Sequence, residues 1–338
     1  RDSFNSEPIT SLDETTRAAL EGIGFKMTGE RMIRGAVVDP QPREIAERAL
    51  FHKHHLHQST RHENEIMALK VIDEIRDDFA LRGRSELYRV DLKSMASAHR
   101  LHQGINLRGH QVWASYEHFQ NILAIRNQPA DEELWDIVEF FSSHSDPNLF
   151  KERHALSQSE FRKLVQPLIR SGHIVQDFRG GFRSVFVPEG VDRAELRKEY
   201  IRNLVEKFPV ITLRQLTQLA GPSFKPEELK AVLNAFEEDE TLIKGFLIED
   251  FHQVCWGRKE LLQEAKSIPS IRDFVLPPSD PIAPYFADIM KERFGFGSAY
   301  LVFRNAEPVA AFKANTRNKI IDVKDYELSV SYTHLRAH

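Results

Sequence analysis

The sequence predicts a mainly α protein with small β elements, of the α+β class. Two winged helices stand in tandem, followed by a small α+β or part-barrel C-terminal domain. Three observations carry this. From Leu134 to Phe186 the apolar residues change from helical to strand spacing and meet Arg179-Gly180-Gly181, a hairpin signal. The pattern then recurs. A shift of 68 residues places Phe161, Leu164, Val165 and Leu168 on Leu229, Val232, Leu233 and Phe236, and Ile174, Val175 and Phe178 on Leu242, Ile243 and Phe246. Finally, Leu276-Pro277-Pro278-Ser279-Asp280-Pro281 marks a boundary, after which one helix and three strands follow. The expected units are therefore 1–128, a mostly helical N-terminal region; 129–190 and 191–268, the two winged helices; and 276–328, the C-terminal domain.

Because the sequence opens on Arg1 and not on Met, a truncated N-terminal region is one expectation. Gly22-x-Gly24-x-x-x-x-Gly29 is not a dinucleotide fingerprint, and no strand precedes it. From Pro42 to Ala80 the spacing reads helical. Ile66, Leu69, Ile72 and Ile75 form an apolar stripe, with Asp73, Glu74, Asp77 and Asp78 on the polar side. His52, His54, His55, His57 and His62 share one short window. They lack His-Glu-x-x-His order and a cysteine partner, and such steps scatter side chains around a helix, so no metal site is assigned. Trp113 and Tyr116 stand among Arg and His residues as stacking platforms would, but core packing is the preferred reading. Asn127-Gln128-Pro129 links onward, with Asp131 as a helix cap.

In the first repeat a helix at Leu134–Phe141 leads through a loop at Ser142–Asn148, with Asp146-Pro147 as a turn signal, to a second helix ending at Gly172. Strands at His173–Phe178 and Phe182–Val187 complete it. In the second repeat a helix covers Ala194–Phe208. Thr212 caps a short helix through Ala220, and Pro226 opens the third at its first helical position. A hairpin at Leu242–Glu249 and His252–Trp256 and a closing helix from Arg258 to Ala265 follow. In the C-terminal domain Tyr285, Ile289 and Phe294 mark a helix ahead of strands at Ser298–Arg304, Pro308–Ala314 and Lys319–Tyr326. Residues 331–338 share nothing with the strand before them and read as a non-native tail of translated adapter sequence.

The 338 residues carry a net charge of −4, which by itself does not point to nucleic acid. The distribution does. Between Lys151 and Arg183 there are seven positive and three negative side chains; between Lys225 and Asp250 there are three and eight. Only the first repeat suits phosphate. Its candidate DNA-binding residues are Arg162, Lys163, Gln166 and Arg170 on the second helix and Arg179 and Arg183 on the wing. Lys313, Arg317 and Lys319, around one turn of the C-terminal domain, form a second basic spot. A solvated helix face and a solvated hairpin tip are the plain alternatives. The acidic second repeat suits a protein partner or self-contact. Cys255 is the single cysteine, so neither an internal disulfide nor a cysteine-based zinc site is open to this sequence. No apolar run spans a membrane and no signal peptide is visible, which gives a cytoplasmic expectation. A nucleotide-binding Gly-x-x-x-x-Gly-Lys-Ser/Thr loop and a Gly-x-Ser-x-Gly elbow are both missing.

Asp280-Pro281, Phe294-Gly295-Phe296, Tyr300-Leu301-Val302-Phe303 and Lys313-Ala314-Asn315 ahead of Ile320-Ile321-Asp322-Val323 together resemble one known ending. It is that of the winged-helix DNA-binding proteins grouped with AlkZ-like (YcaQ-like) DNA glycosylases. The C-terminal part of the large helicase-related protein Lhr is similar in plan. The resemblance starts at the first winged helix and implies binding of double-stranded DNA and metal-independent, cofactor-free excision of alkylated or crosslinked bases. In that family a Gln-x-Gln or Gln-x-Asp motif carries the chemistry. Here Gln176-Asp177 lacks the middle residue and Gln215-x-x-Gln218 has the wrong spacing, so the catalytic residue is left unassigned. A non-catalytic module of a transcription regulator or of a larger helicase is the alternative.

Overall fold

The computed structural model describes residues 25–28, 31–34, 41–54, 73–76, 84, 101–267, 273–317 and 320–328. It is a mixed α+β protein with small antiparallel sheets. Strands β1 (Phe25–Thr28) and β2 (Arg31–Arg34) pair with each other, and helix α1 (Arg43–Lys53) follows.

The described residues of the N-terminal region include strands beside the expected helices. Strands β3 (His102–Ile105) and β4 (Gln111–Ala114) form a hairpin. Its turn is built by the buried Asn106, whose Oδ1 accepts from the backbone N–H of Arg108 at 3.1 Å and of His110 at 2.8 Å. Gly109 supplies the positive φ of 81°. Each strand has four residues, too few to show a period. Gly104 is a close-approach glycine: a Cβ there would lie 2.8 Å from both the Phe119 ring and Val175. The helical reading of 42–80 also fails at 73–76. Residues 73–76 make a turn with Glu74 at φ 58°, and Ile75 bridges to Trp113, its carbonyl accepting from the Trp113 N–H at 2.8 Å. Tertiary pairing overrides the apolar period here.

Helix α2 (Tyr116–Arg126) leads to α3 (Trp135–Ser143), α4 (Pro147–Arg153) and α5 (Gln158–Ser171), then to strands β5 (Ile174–Gln176) and β6 (Phe182–Ser184). Helix α4 begins inside the expected loop, Ser142–Asn148. Asp146-Pro147 is a turn pair, but it is equally a cap and first helical residue, and Asp146 Oδ1 accepts from the Asn148 N–H at 2.9 Å. Ser157 and Glu160 form a capping box on α5, and Gly172 ends it at φ 84°. Phe161, Val165 and Leu168 of α5 join Ile137, Val138, Phe141, Phe150, Ile174 and Phe182 in a core of their own. Leu164, expected in that stripe, is 37% exposed, because it lies one step round the helix from the buried face.

The next unit has α6 (Arg193–Glu206), β7 (Val210–Thr212), α7 (Leu213–Ala220), α8 (Pro226–Glu238), β8 (Ile243–Gly245) and β9 (Cys255–Gly257), with sheet order β7-β9-β8. Gln158 and Pro226, the first residues of α5 and α8, keep the 68-residue spacing. The second hairpin strands do not, because β9 begins at Cys255 and the loop before it is longer. Helix α9 (Lys259–Ala265) packs back on α1.

The last unit is a four-stranded meander ordered β10 (Phe274–Leu276), β11 (Tyr300–Arg304), β12 (Glu307–Arg317) and β13 (Ile320–Leu328), covered by α10 (Ala287–Phe294). Strand β10 precedes the expected Pro-rich boundary yet pairs with β11, so this unit starts earlier than 276. The N-terminal segment reaches it twice. Phe51 sets its ring edge-on to Phe303 at 4.7 Å and packs on Phe274 and Phe286. Arg84 makes a buried bidentate pair with Asp280, Nε to Oδ2 at 2.7 Å and Nη2 to Oδ1 at 2.6 Å. His54 supports it, with Nδ1 3.3 Å from Arg84 Nη1 and Nε2 2.9 Å from the Lys207 carbonyl. Burial, then the Arg84 charge, hold this imidazole well below its ordinary pKa, so it is neutral and Nε2 donates. Of the other histidines in that window, His55, His57 and His62 lie outside the described residues.

Candidate functional site

Two features stand out, a basic surface and a polar cavity. On α5, at about 100° per residue, Arg162, Gln166, Arg170 and Lys163 fall within a sector roughly 100° wide, opposite Phe161, Val165 and Leu168. Arg162, Lys163 and Arg170 are exposed and Gln166 is half-buried. On the hairpin, Arg179 sits at the exposed turn, its backbone N–H donating to Asp177 Oδ1 at 2.8 Å. The exposed Arg183 stacks its guanidinium 3.6 Å from the centre of the Tyr116 ring. Tyr116 in turn donates to the Ser184 carbonyl at 3.0 Å, and Trp113 stacks on Phe178 at 4.2 Å, so both aromatics brace the hairpin. In the C-terminal sheet Lys313 is exposed, 5.4 Å from the Phe296 ring centre. The Arg317 side chain and Lys319 lie outside the described residues.

The cavity, of about 580 Å³, lies between the 73–76 turn, α2 and α6. Asp73, Glu74, His118, Asn121, Tyr200, Asn203 and Lys207 are among its walls. His118 sits in the first turn of α2, held by Ser115 Oγ, which accepts from its backbone N–H at 3.2 Å. Its ring bridges the two carboxylates: Nδ1 is 3.0 Å from Asp73 Oδ2 and Nε2 is 3.6 Å from Glu74 Oε2. Tyr200 Oη donates to Glu74 Oε2 at 2.8 Å.

The electrostatics divide the two acids. Burial works against the Glu74 anion, but His118, Lys207 and the Tyr200 hydroxyl hold its carboxyl down at about 2. Burial wins at Asp73 and raises its pKa, although His118 and Lys207 pull the other way. Burial disfavours the His118 cation, yet the two carboxylates raise its pKa above the ordinary value. Asp73 Oδ1 is buried with no hydrogen-bond partner among the described residues. The cavity wall thus holds a fixed anion, a second carboxylate with one unpartnered oxygen, and between them an imidazole whose cationic form both carboxylates favour. Such a pair, with its pKa values pushed apart, is suited to fixing a water and taking its proton.

Sequence reasoning missed this cluster. It put Asp73 and Glu74 on the outer face of a helix, and their partners His118 and Tyr200 stand on helices that show only amphipathic spacing. The sequence carried no local signal for the cluster; only the fold brings these residues together.

No family model matches the chain, and no curated protein matches it. Among solved structures it is similar to the DNA glycosylase AlkZ of Streptomyces sahachiroi, with a TM-score of 0.60 over 88% of this chain and 95% of that one, at 9% identity. The two chains share a fold over most of their lengths, and the resemblance read from the C-terminal motifs holds at that level. Among the described residues no helix is long and apolar enough to cross a membrane.

Proposed function

We propose that this chain is a DNA-binding protein that excises damaged bases from double-stranded DNA. The buried carboxylate–histidine cluster, in a cavity with room for a nucleotide, carries the reading. Cavities of several hundred Å³ with a few convergent polar groups are the usual form of a small-ligand site, and an extruded nucleobase is such a ligand. The order of α3, α4, α5 and the β5–β6 hairpin, and that of α6-β7-α7-α8-β8-β9 with β9 between its partners, support a winged-helix reading of both units. Arg162, Lys163, Gln166, Arg170, Arg179 and Arg183 would contact phosphates around the first, and Lys313, Arg317 and Lys319 would add a second grip.

The chemistry would use no metal or cofactor. The bond from C1′ of the sugar to an alkylated, cationic base breaks, and the base departs with the bonding electrons as a neutral molecule. The Glu74 anion stabilises the positive charge that develops on the sugar. A water bound at the Asp73 carboxylate attacks C1′, and its proton passes to that carboxylate.

Release of alkylated bases from a duplex tests this. Wild type should release base, and Asp73→Asn should retain DNA affinity while losing excision by on the order of 10²- to 10⁴-fold. Full activity of Asp73→Asn would remove Asp73 from the mechanism. DNA binding without release from any alkylated duplex would favour the second reading, a non-catalytic DNA-binding module of a regulator or helicase. The missing Gln-x-Gln or Gln-x-Asp motif is the observation on that side.

A further inference from the structure

A second cavity, of about 360 Å³, adjoins the first and shares Glu74, Leu204 and Lys207 with it. Its walls differ in sign. Arg76, Arg108, His110 and Lys207 all face it. Among the described residues Arg76, Arg108 and Lys207 have no ion-pair partner. The carboxylates on the same walls are already engaged, Glu74 by His118 and Tyr200 and Asp280 by Arg84. The pocket is also built. The Asn106 turn fixes the backbone of Arg108 and His110, and Asn106 is itself held by Arg126, whose Nη2 donates to its carbonyl at 2.5 Å. Arg108 packs on Gly221, where a Cβ would lie 2.6 Å from its Cγ, so the side chain is braced as well. Ser279, 7% exposed, lines the pocket with its hydroxyl lacking any hydrogen-bond partner among the described residues, and His110 Nδ1 is likewise buried and unsatisfied. Half-buried or exposed cations that converge beside a buried hydroxyl and a buried ring nitrogen without partners favour an anion in the pocket.

We infer that this pocket is an anion subsite of the phosphate class, and that its occupant is a backbone phosphodiester next to the nucleotide held in the carboxylate cavity. The occupant rests on the excision reading; the anion site does not. The division of labour follows from charge. A phosphate would be repelled by the Glu74 anion and drawn to the Arg76–Arg108 side, while the sugar and base lie on the Asp73–His118 side. Lys207, common to both cavities, neutralises across the divide. Burial, then the Arg76 and Arg108 charges, hold His110 below its ordinary pKa, and a bound phosphate would reverse that.

The probe is a duplex carrying a central abasic-site analogue, read by fluorescence anisotropy. A series of such duplexes each carries one neutral methylphosphonate within two nucleotides of the analogue. One position should weaken wild-type binding by roughly tenfold, the loss of a charge-assisted contact. The same substitution should cost Arg108→Gln and the exposed-site variant Arg76→Gln much less, since their contact is already gone. If the duplex binds but no position matters, or if each costs the variants as much as wild type, the subsite is overturned while base excision stands. If wild type neither binds nor cleaves any duplex, the excision reading fails, and titration with inorganic phosphate decides the pocket. A rise in the His110 pKa by nuclear magnetic resonance in wild type, abolished in Arg76→Gln/Arg108→Gln, supports a site for a small phosphate. No rise overturns it.

Discussion

Glu47 shows how far burial alone can move a side chain. It lies on α1, 5% exposed, with Oε1 lacking a partner among the described residues. Burial pushes its carboxyl up to about 8, against the pull of Arg43 and Arg293. The folded state therefore binds this proton more tightly than the unfolded chain. Its contribution is complete below the ordinary value of 4.5 and is lost as pH rises through about 8. Glu47→Gln should remove that slope and raise stability at pH 8 by a few kcal/mol, with little change at pH 4. Denaturant unfolding at the two pH values checks it; equal effects at both would mean the carboxyl is not protonated in the fold. Glu74 should act in the opposite sense. Its depressed pKa contributes stability above the usual carboxylate range that disappears as pH falls toward 2. Cys255 is a third case. Fully buried, with burial pushing its thiol up to about 12, it should resist an aromatic disulfide reagent at pH 8 until the protein is unfolded. Rapid labelling of the native chain would contradict that.

At the scale of elements, the legible parts of the chain were those whose signals are local. Gly172, Thr212 and Pro226 occupy the termini their chemistry suggests, and the α5 and α8 repeat is visible because a whole apolar face recurs. The hairpin at 102–114 was not legible because four-residue strands carry no period. Helix α4 was hidden because Asp-Pro signals both a turn and a helix start. The basic sector of α5 follows from helical spacing alone, whereas the Asp73–Glu74–His118–Tyr200 cluster has no spacing to read. A consequence belongs to α5 and its hairpin. If Arg162, Lys163, Arg170, Arg179 and Arg183 each neutralise one phosphate, log K should fall against log salt with a slope of roughly −4 to −5. Arg179→Ala should flatten it by about one unit and weaken all sequences alike. A slope near zero would exclude DNA as the partner of this face.

The whole molecule has two kinds of cohesion. Most buried apolar residues of 129–190 form a core of their own, while Val175 and Val185 join one continuous core that runs from Leu50 and Phe51 through the second unit to the C-terminal sheet. The Arg84–Asp280 pair ties that larger body together. Asp280→Ala should cost about 3–5 kcal/mol, because it strands a buried guanidinium, whereas Arg84→Met/Asp280→Leu should cost far less. Similar losses in both would place the stability in packing and not in the charge.

That tie is made between residues 196 positions apart, and it lies beside the turn that supplies Asp73 and Glu74. During synthesis the N-terminal segment must therefore wait. At about 5–20 residues per second, on the order of ten to forty seconds separate emergence of Arg84 from that of Asp280. The segment 129–190, most of whose buried apolar residues share one core, has what it needs to fold in that interval; the Arg84–Asp280 pair does not. The tie is thus late to form, and a nascent chain ending midway would carry the basic surface without it.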